Sequence, residues 1–194
     1  MPCVAFGVAL LNLMRSADLD TLFIAGLNGS GPDHWQTRWL RRMPNARLVE
    51  QADSDRPERE AWIGAIVAAC EAAERPILII AHSLGVIALA HAAERLKAGR
   101  IKGAFLVGPP SDKALLAVGA AGFAPAPTAP FPFPSLVVAS RNDPYGDFED
   151  SEHKAFAWGS RLYDAGASGH INTESGHGPW PEGAMRLAGF VKQL

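Results

Sequence analysis

The sequence contains little cysteine and has no pattern that indicates a metal site. Only Cys3 and Cys70 occur among 194 residues, and two cysteines in a chain of this size do not make a disulfide scaffold. Neither a Cys-x-x-Cys pair nor a His-Glu-x-x-His pattern is present, and these spacings are typical of zinc sites. We therefore expect neither a metal nor another cofactor.

The sequence also lacks a cluster of positive charge. The formal net charge is −2 and no run of Lys or Arg occurs, whereas surfaces that bind nucleic acid or anionic lipid are strongly basic. Apolar residues make up 48% of the chain, which is enough for one sizeable core. The composition predicts one globular domain that binds neither nucleic acid nor a membrane, and it leaves the oligomeric state open.

A secretory signal is missing from the first residues. The apolar run Val4–Leu11 has no basic residue before it, and it is too short to span a membrane. We expect a cytoplasmic protein in which residues 1–17 form an N-terminal extension and residues 18–194 form the domain. Met14 is an alternative start of the chain.

From residue 20 onward, short apolar runs alternate with longer helical patterns. Runs rich in Val, Ile, Leu and Ala are typical of strands buried on both faces of a parallel sheet. The predicted strands are Thr21–Ala25, Ala46–Glu50, Ile77–Ala81, Gly103–Val107, Leu136–Ala139 and Arg161–Asp164. The predicted helices are Asp33–Met43, Pro57–Glu74, Leu84–Leu96, Asp147–Trp158 and Pro181–Leu194. This alternation predicts an α/β domain with three layers and a doubly wound, mostly parallel sheet.

One long segment breaks the alternation. Residues Ala117–Pro134 are rich in Ala, Pro and Phe, and proline at every second or third position blocks both helix and inner strand. We expect an ordered surface loop there, and no large lid over the domain.

The most informative segment is the strand that runs directly into Ser83 and a following helix. Ala81-His82-Ser83-Leu84-Gly85 has the spacing of a nucleophile elbow, in which small residues flank a serine on a strained strand-to-helix turn. The turn exposes the hydroxyl and points the helix N-terminus at it. The alternative is an ordinary N-cap serine, but the buried strand before it favours a nucleophile.

An acid is expected in a loop after a later strand. Asp143 follows the run Leu136–Ala139 and precedes Pro144, in the chain order Ser, Asp, His that is typical of this elbow. Its role would be to orient an imidazole and stabilise the charged form of that ring. Asp112 is the rival, although it could equally cap a helix.

The base must come from one of six histidines. His34 and His82 precede the serine, His91 lies inside the following helix, and His153 lies in a charged helical stretch. His170 and His177 remain. His170 is preceded by Gly169 in a loop after the last apolar run, where the base is expected. We predict His170 as the base, with His177 at the substrate site.

Two backbone N–H groups are expected to form an oxyanion hole. One is that of Leu84, directly after the serine. The other lies in the Gly-rich loop after the first strand, at Leu27 or, failing it, Asn28. This loop does not match the Gly-x-Gly-x-x-Gly pattern of dinucleotide sites. Asn28, Trp35 and Trp180 are predicted to contact the substrate, because they lie in or beside motif loops. For the two tryptophans the alternative is a place in the core, which is the more common one for aromatic residues in such positions.

Together these motifs resemble the small serine hydrolases related to retinoblastoma-binding protein nine and the bacterial YdeN proteins. The resemblance spans about residues 18–194 and rests on Gly26–Gln36, Ala81–Gly85, Ser140–Tyr145 and Gly169–Gly183. It implies an α/β-hydrolase fold with little or no cap, and a triad of Ser83, Asp143 and His170. Members of this family act on small esters or have aminopeptidase-like activity.

The predicted function is hydrolysis of small acyl esters through a covalent acyl-enzyme. Two alternatives stay open from the sequence. The same triad could cleave amides or thioesters, and a protein with this fold could bind a ligand without catalysis, because fold alone does not fix function.

Overall fold

Short apolar segments form the strands of one parallel sheet. The computed structural model describes residues 18–194, apart from the side chain of Ala98. Within these residues the strands are β1 (Asp20–Ile24), β2 (Ala46–Leu48), β3 (Ile77–His82), β4 (Ile101–Val107), β5 (Ser135–Ala139) and β6 (Arg161–Asp164). Their order in the sheet is β2-β1-β3-β4-β5-β6, and every adjacent pair is parallel. Each of the predicted runs is therefore a strand.

Helices connect the strands, as parallel pairing requires. The α-helices are α1 (Trp35–Leu40), α2 (Arg59–Glu71), α3 (Leu84–Ala92), α4 (Asp112–Ala117), α5 (Phe148–Ala157) and α6 (Pro181–Val191). Short 3₁₀ turns lie at Ala93–Arg95, Ala98–Arg100 and Ala121–Phe123. The predicted helix Leu84–Leu96 thus ends its α-helical part at Ala92.

Alternate strand residues bury their side chains in two separate cores, one on each face of the sheet. Ile79 belongs to the core that also contains Ile66 of α2 and Leu89 of α3. Its neighbour Ile80 belongs to the opposite core, together with Leu187 of α6. Since successive strand residues point to opposite faces, both faces of the sheet are covered. The predicted three-layer α/β architecture is confirmed.

The segment between β4 and β5 differs from its predicted form. Helix α4, absent from the prediction, is capped by Ser111, whose Oγ accepts the Ala114 N–H at 3.2 Å. The segment also places Phe123, Phe131 and Phe133 in the core below α2 and α3. The prediction of a surface loop over Ala117–Pro134 was therefore only partly correct, because burial of aromatic rings compensates for the missing regular structure.

The predictions for residues 1–17, including the extension, Met14 and Cys3, lie outside the described residues. Among residues 18–194, no helix is long and apolar enough to cross a membrane.

Helix α3 lies unusually close to the end of β1. A Cβ atom at Gly85 would lie 2.6 Å from the Ala25 carbonyl oxygen and 2.7 Å from that of Ile24. These are backbone atoms of a buried strand end, and they cannot move aside as a flexible side chain could.

We therefore expect Gly85→Ala to lower the free energy of unfolding by roughly 1–3 kcal/mol, as overpacking does. Gly64 in α2 is the matched control, because a Cβ atom there would have no other atom within 4 Å. Gly64→Ala should raise stability by roughly 0.5–1 kcal/mol through helix propensity. Urea unfolding measures both, and equal effects of the two substitutions would contradict this account of the packing.

Candidate active site

Ser83 is the one residue between β3 and α3, and its backbone conformation is strained. Its φ is 53° and its ψ is −126°, a region that residues other than glycine rarely adopt. The Ser83 N–H donates to the Val107 carbonyl at 2.9 Å, while its side chain makes no capping bond to α3. The hydroxyl is thus left free for another partner, unlike that of an ordinary N-cap serine.

Small residues around Ser83 are required by the neighbouring strand β1. A Cβ at Gly26 would lie 2.8 Å from the Ser83 Cβ. A side chain at Gly26 or at Gly85 would therefore collide where the turn at Ser83 packs against the end of β1. The sequence pattern predicted small residues on both sides of Ser83, and the structure gives the reason for Gly85: the backbone at the end of β1 lies against it.

The side chains of Ser83, His170 and Asp143 form one hydrogen-bonded chain. His170 Nε2 lies 2.9 Å from Ser83 Oγ. His170 Nδ1 lies 2.9 Å and 2.8 Å from the two carboxylate oxygens of Asp143. The side chains of His170 and Asp143 are 8% and 5% exposed. An imidazole placed between a hydroxyl and a carboxylate can accept the hydroxyl proton while the carboxylate stabilises the resulting charge.

The loops after β5 and β6 deliver these two side chains to the elbow. Asp143 Oδ1 also accepts the Tyr145 N–H at 2.9 Å, which closes the turn around the carboxylate. Gly108, after β4, has φ of 58°, and a Cβ there would lie 3.4 Å from Asp143 Oδ2 and 3.5 Å from the His170 ring. These distances are ordinary van der Waals contacts, so glycine is favoured at this position by its positive φ and not by lack of space.

The other candidates for the acid and the base do not join this hydrogen-bonded chain. Asp112 Oδ1 accepts the Ala126 N–H at 3.0 Å, and Asp112 is the first residue of α4. His91 Nε2 bonds the Phe123 carbonyl oxygen at 2.9 Å, and His153 is exposed on α5. His177 Nδ1 lies 3.1 Å from Ser175 Oγ.

The loop after β1 supplies a candidate for the second oxyanion donor. The Asn28 N–H donates to the Ser54 carbonyl at 2.8 Å, so it is already used. No hydrogen bond of the Leu27 N–H is found within residues 18–194. Of the two predicted alternatives, Leu27 is favoured, with Leu84 as the other donor at the first position of α3. Both roles stay predictions.

The prediction that Trp35 contacts the substrate is wrong, because this residue is 0% exposed. Trp180 is 6% exposed, which leaves part of it accessible, so its predicted contact with the substrate stays a prediction. The two rings pack together at 5.0 Å, and a ring at Trp180 fits against α6 because Gly183 has no side chain to collide with it. Asn28 is exposed and His177 is half-buried, so their predicted contacts with the substrate stay open.

Tyr145 is a site residue that was not predicted from the sequence. Its ring lies 4.6 Å from that of His170 in an edge-on arrangement, and the residue is 37% exposed. Its position two residues after Asp143 was the available signal. Tyr145 thus packs against the ring of His170 and is partly open to solvent.

Within residues 18–194, no group of three or more His, Cys, Asp or Glu side chains is placed to hold a metal ion. The histidines near Ser83 instead contact one another and the protein backbone.

Comparisons with known proteins show the family to which the chain belongs. The family model described as serine hydrolase matches residues 21–189. A hydrolase from Pectobacterium atrosepticum, described as YdeN-like, has 32% sequence identity and a TM-score of 0.85, over 95% of this chain and 97% of that chain.

The chain belongs to the serine hydrolase family. The predicted membership among small YdeN-like α/β-hydrolases is thereby confirmed.

Two more distant structures share the fold of this serine hydrolase. The YdeN protein of B. subtilis has 21% identity and a TM-score of 0.74, over 90% of this chain and 99% of that chain. An esterase domain from Rhodothermus marinus has 14% identity and a TM-score of 0.65, over 89% and 86% of the two chains. A search of curated protein sequences found no match.

Three histidines near Ser83 and His170 are held in the neutral form by burial. Burial, with the nearby His170 and His177, lowers the pKa of His34 from 6.5 to about 4. Burial, with the neighbouring His170 and His34, also places the pKa of His82 well below its ordinary value. Burial lowers the pKa of His177 as well. These rings therefore add no fixed positive charge beside His170 near neutral pH.

The pKa of His34 makes the stability of the hydrolase depend on pH. Between pH 6.5 and about pH 4 the unfolded chain binds a proton at His34 that the folded protein does not bind. Acid therefore favours unfolding in this window, by up to about 1.4 kcal/mol per pH unit for one such group. The contribution of neutral His34 to the free energy of unfolding is fully present above pH 6.5, and it is lost as the pH falls toward about 4.

We expect His34→Asn to reduce the loss of unfolding free energy between pH 6.5 and pH 4. The His34 ring accepts the Gln36 N–H at 3.2 Å as the N-cap of α1, and asparagine is a good N-cap that does not titrate there. His153→Asn is the control, because His153 is exposed. Denaturant unfolding at several pH values measures the slopes, and a wild-type slope in His34→Asn would contradict the assignment.

Proposed function

We propose that this serine hydrolase cleaves small acyl esters, with Ser83 as nucleophile, His170 as general base and acid, and Asp143 as the residue that orients His170. The observation that carries the proposal is the unbroken chain of hydrogen bonds from Ser83 Oγ through His170 to Asp143. A serine is weakly nucleophilic by itself, and an adjacent base activates it.

In the first half of the reaction Ser83 Oγ attacks the ester carbonyl carbon while His170 Nε2 takes the hydroxyl proton. The electron pair of the carbonyl double bond moves to its oxygen, which the N–H groups of Leu27 and Leu84 would stabilise. The intermediate then expels the alkoxide, which leaves as an alcohol with the proton from His170. An acyl group remains on Ser83.

In the second half a water molecule attacks the acyl carbon and His170 takes its proton. Collapse of this intermediate releases the carboxylic acid and returns the proton to Ser83 Oγ. Asp143, which holds Nδ1 of the ring, stabilises the imidazolium in both halves and fixes the tautomer that leaves Nε2 free to accept.

The proposed preference for small substrates is supported by the surroundings of Ser83, His170 and Asp143. Tyr145 is partly exposed beside His170, and the connection between β4 and β5 contains only the short helix α4, one 3₁₀ turn and a loop that packs into the core. Such a site favours small substrates. The alternative is that the same three residues cleave a thioester or an amide. Rates measured on matched p-nitrophenyl ester, thioester and aminoacyl-anilide substrates distinguish the three activities. The cytoplasmic location stays a prediction from the sequence.

The triad assignment predicts the effect of removing the hydroxyl. We expect Ser83→Ala to lower kcat for p-nitrophenyl acetate by about 10⁴-fold or more with an unchanged circular dichroism spectrum. Full activity in Ser83→Ala would remove Ser83 from the mechanism. A wild-type protein that hydrolyses none of the substrates would favour a binding protein with this fold.

The role of Asp143 can be tested against a matched residue, because Asp112 was the other candidate for the acid. Asp143→Asn keeps the shape of the side chain but disturbs the tautomer of His170, and we expect kcat to fall by about 10⁴-fold. Asp112→Asn is the matched control, since Asp112 bonds a backbone N–H of Ala126 and does not contact the base. Steady-state kinetics that show Asp112→Asn as the more damaging substitution would contradict the assignment.

A further inference from the structure

The segment that carries His170 is held along its main chain by side chains from other parts of the molecule. Each of four consecutive residues, 168–171, has one such bond. The N–H groups of Ser168 and Gly169 donate to Ser140 Oγ at 2.9 Å and Asn142 Oδ1 at 2.7 Å. The carbonyl oxygens of His170 and Ile171 accept from His82 Nε2 at 2.9 Å and Trp35 Nε1 at 2.8 Å.

The backbone of this segment needs such support. Gly169 has φ of 57° and Ile171 has φ of 49°, and a β-branched residue with positive φ is a genuine outlier. Strained conformations of this kind persist only where the surrounding structure enforces them. Ile171 is completely buried, so water does not take the place of the bonds from the protein.

The bond from His82 differs from the other three because His82 is the residue directly before Ser83. A carbonyl oxygen only accepts, so Nε2 of His82 carries the hydrogen in this bond. His170 is thus joined twice to the dipeptide His82-Ser83: its side chain to Ser83 Oγ at 2.9 Å and its main chain to His82 Nε2 at 2.9 Å. Together the two bonds set both the distance and the orientation of the ring relative to the hydroxyl.

The surroundings of His82 keep its ring in place. The residue is 5% exposed, and its ring lies 4.8 Å from that of His170, 5.0 Å from that of His34, and 5.9 Å from Trp35 in an edge-on contact. Since burial holds the pKa of His82 well below its ordinary value, the ring stays neutral when His170 takes a proton. It therefore donates its bond without repelling the imidazolium.

We propose that His82 is a positioning residue, which holds the main chain of His170 so that the base stays within hydrogen-bond reach of Ser83. The proposal rests on the proposed function, because it assigns His82 a role through His170. A base displaced by about 1 Å can cost about 10²-fold in rate. The effect should appear in kcat, because His82 acts through the main chain of His170, which takes part in the chemical step.

Two substitutions of equal length separate the hydrogen bond from the bulk of the side chain. The amide nitrogen of glutamine reaches the place of the histidine Nε2 and donates, whereas methionine fills similar space without a donor. We expect His82→Met to lower kcat for p-nitrophenyl acetate by about 10–100-fold with KM changed less than about threefold. His82→Gln should keep kcat within about threefold of the wild type.

The rates are expressed per active site, counted by labelling with a fluorophosphonate to completion, so that unfolded protein does not enter kcat. His91→Met is the matched control, because His91 Nε2 also bonds a backbone carbonyl oxygen, that of Phe123, at 2.9 Å. It should leave kcat unchanged. If His82→Met does not fold, His82→Asn replaces it, since its shorter amide does not reach the position of Nε2.

A wild-type kcat per labelled site in His82→Met, or an equal loss in His82→Gln and His82→Met, would overturn the positioning role. Both outcomes presuppose an active wild type. A wild-type protein that is inactive toward p-nitrophenyl acetate would instead overturn the proposed function, so the two failures are distinguishable.

Discussion

The contact between the N-terminal turn of helix α3 and the carboxyl end of β1 determines where Ser83 stands. The Cβ positions at Gly85 and Gly26 are closed by backbone and side-chain atoms of the neighbouring element. Because these elements approach so closely, the chain turns from β3 into α3 within one residue. That residue takes the positive φ, and its hydroxyl is left without a capping bond. The steric constraint thus explains both the strain at Ser83 and the availability of its side chain.

The parallel sheet then gathers the remaining groups at the same edge. The loops after β5 and β6 bring Asp143 and His170 to Ser83, and the loop after β1 contains Leu27, the proposed second oxyanion donor. The segment around His170 depends on bonds from side chains that are far away in sequence, including those of His82 and Trp35. Neutral imidazoles surround the base, since burial lowers the pKa of His34 and His82. Close packing therefore determines both the position of His170 and the neutral state of the histidines beside it.

Much of this could be predicted from the sequence, because the relevant signals are local. Buried strands appear as apolar runs, and the elbow appears as a serine between a strand and a helix. Helix α4 was missed because it is short and depends on a single capping serine, Ser111. The Pro-rich segment after it hid the burial of Phe123 and its neighbours, since proline predicts the absence of regular structure but not the direction of side chains.

The orientation of side chains could not be predicted in the same way. Trp35 and Trp180 lie beside motif loops in the sequence, yet both rings point into the core, where they pack against each other. Positive φ at Ile171 and Trp180 contradicts the ordinary preference of these residue types, because tertiary contacts override it. The hydrogen bond from His82 to the His170 carbonyl joins residues far apart in the chain, and no local pattern indicates it.

In the proposed mechanism Ser83 carries the covalent step. Peptide mass mapping of the wild-type protein after reaction with a fluorophosphonate tests it most directly, because these reagents form a stable bond with an activated serine. We expect one adduct, on Ser83. An adduct on another residue, or an enzyme that hydrolyses esters while Ser83 remains unlabelled, would contradict it.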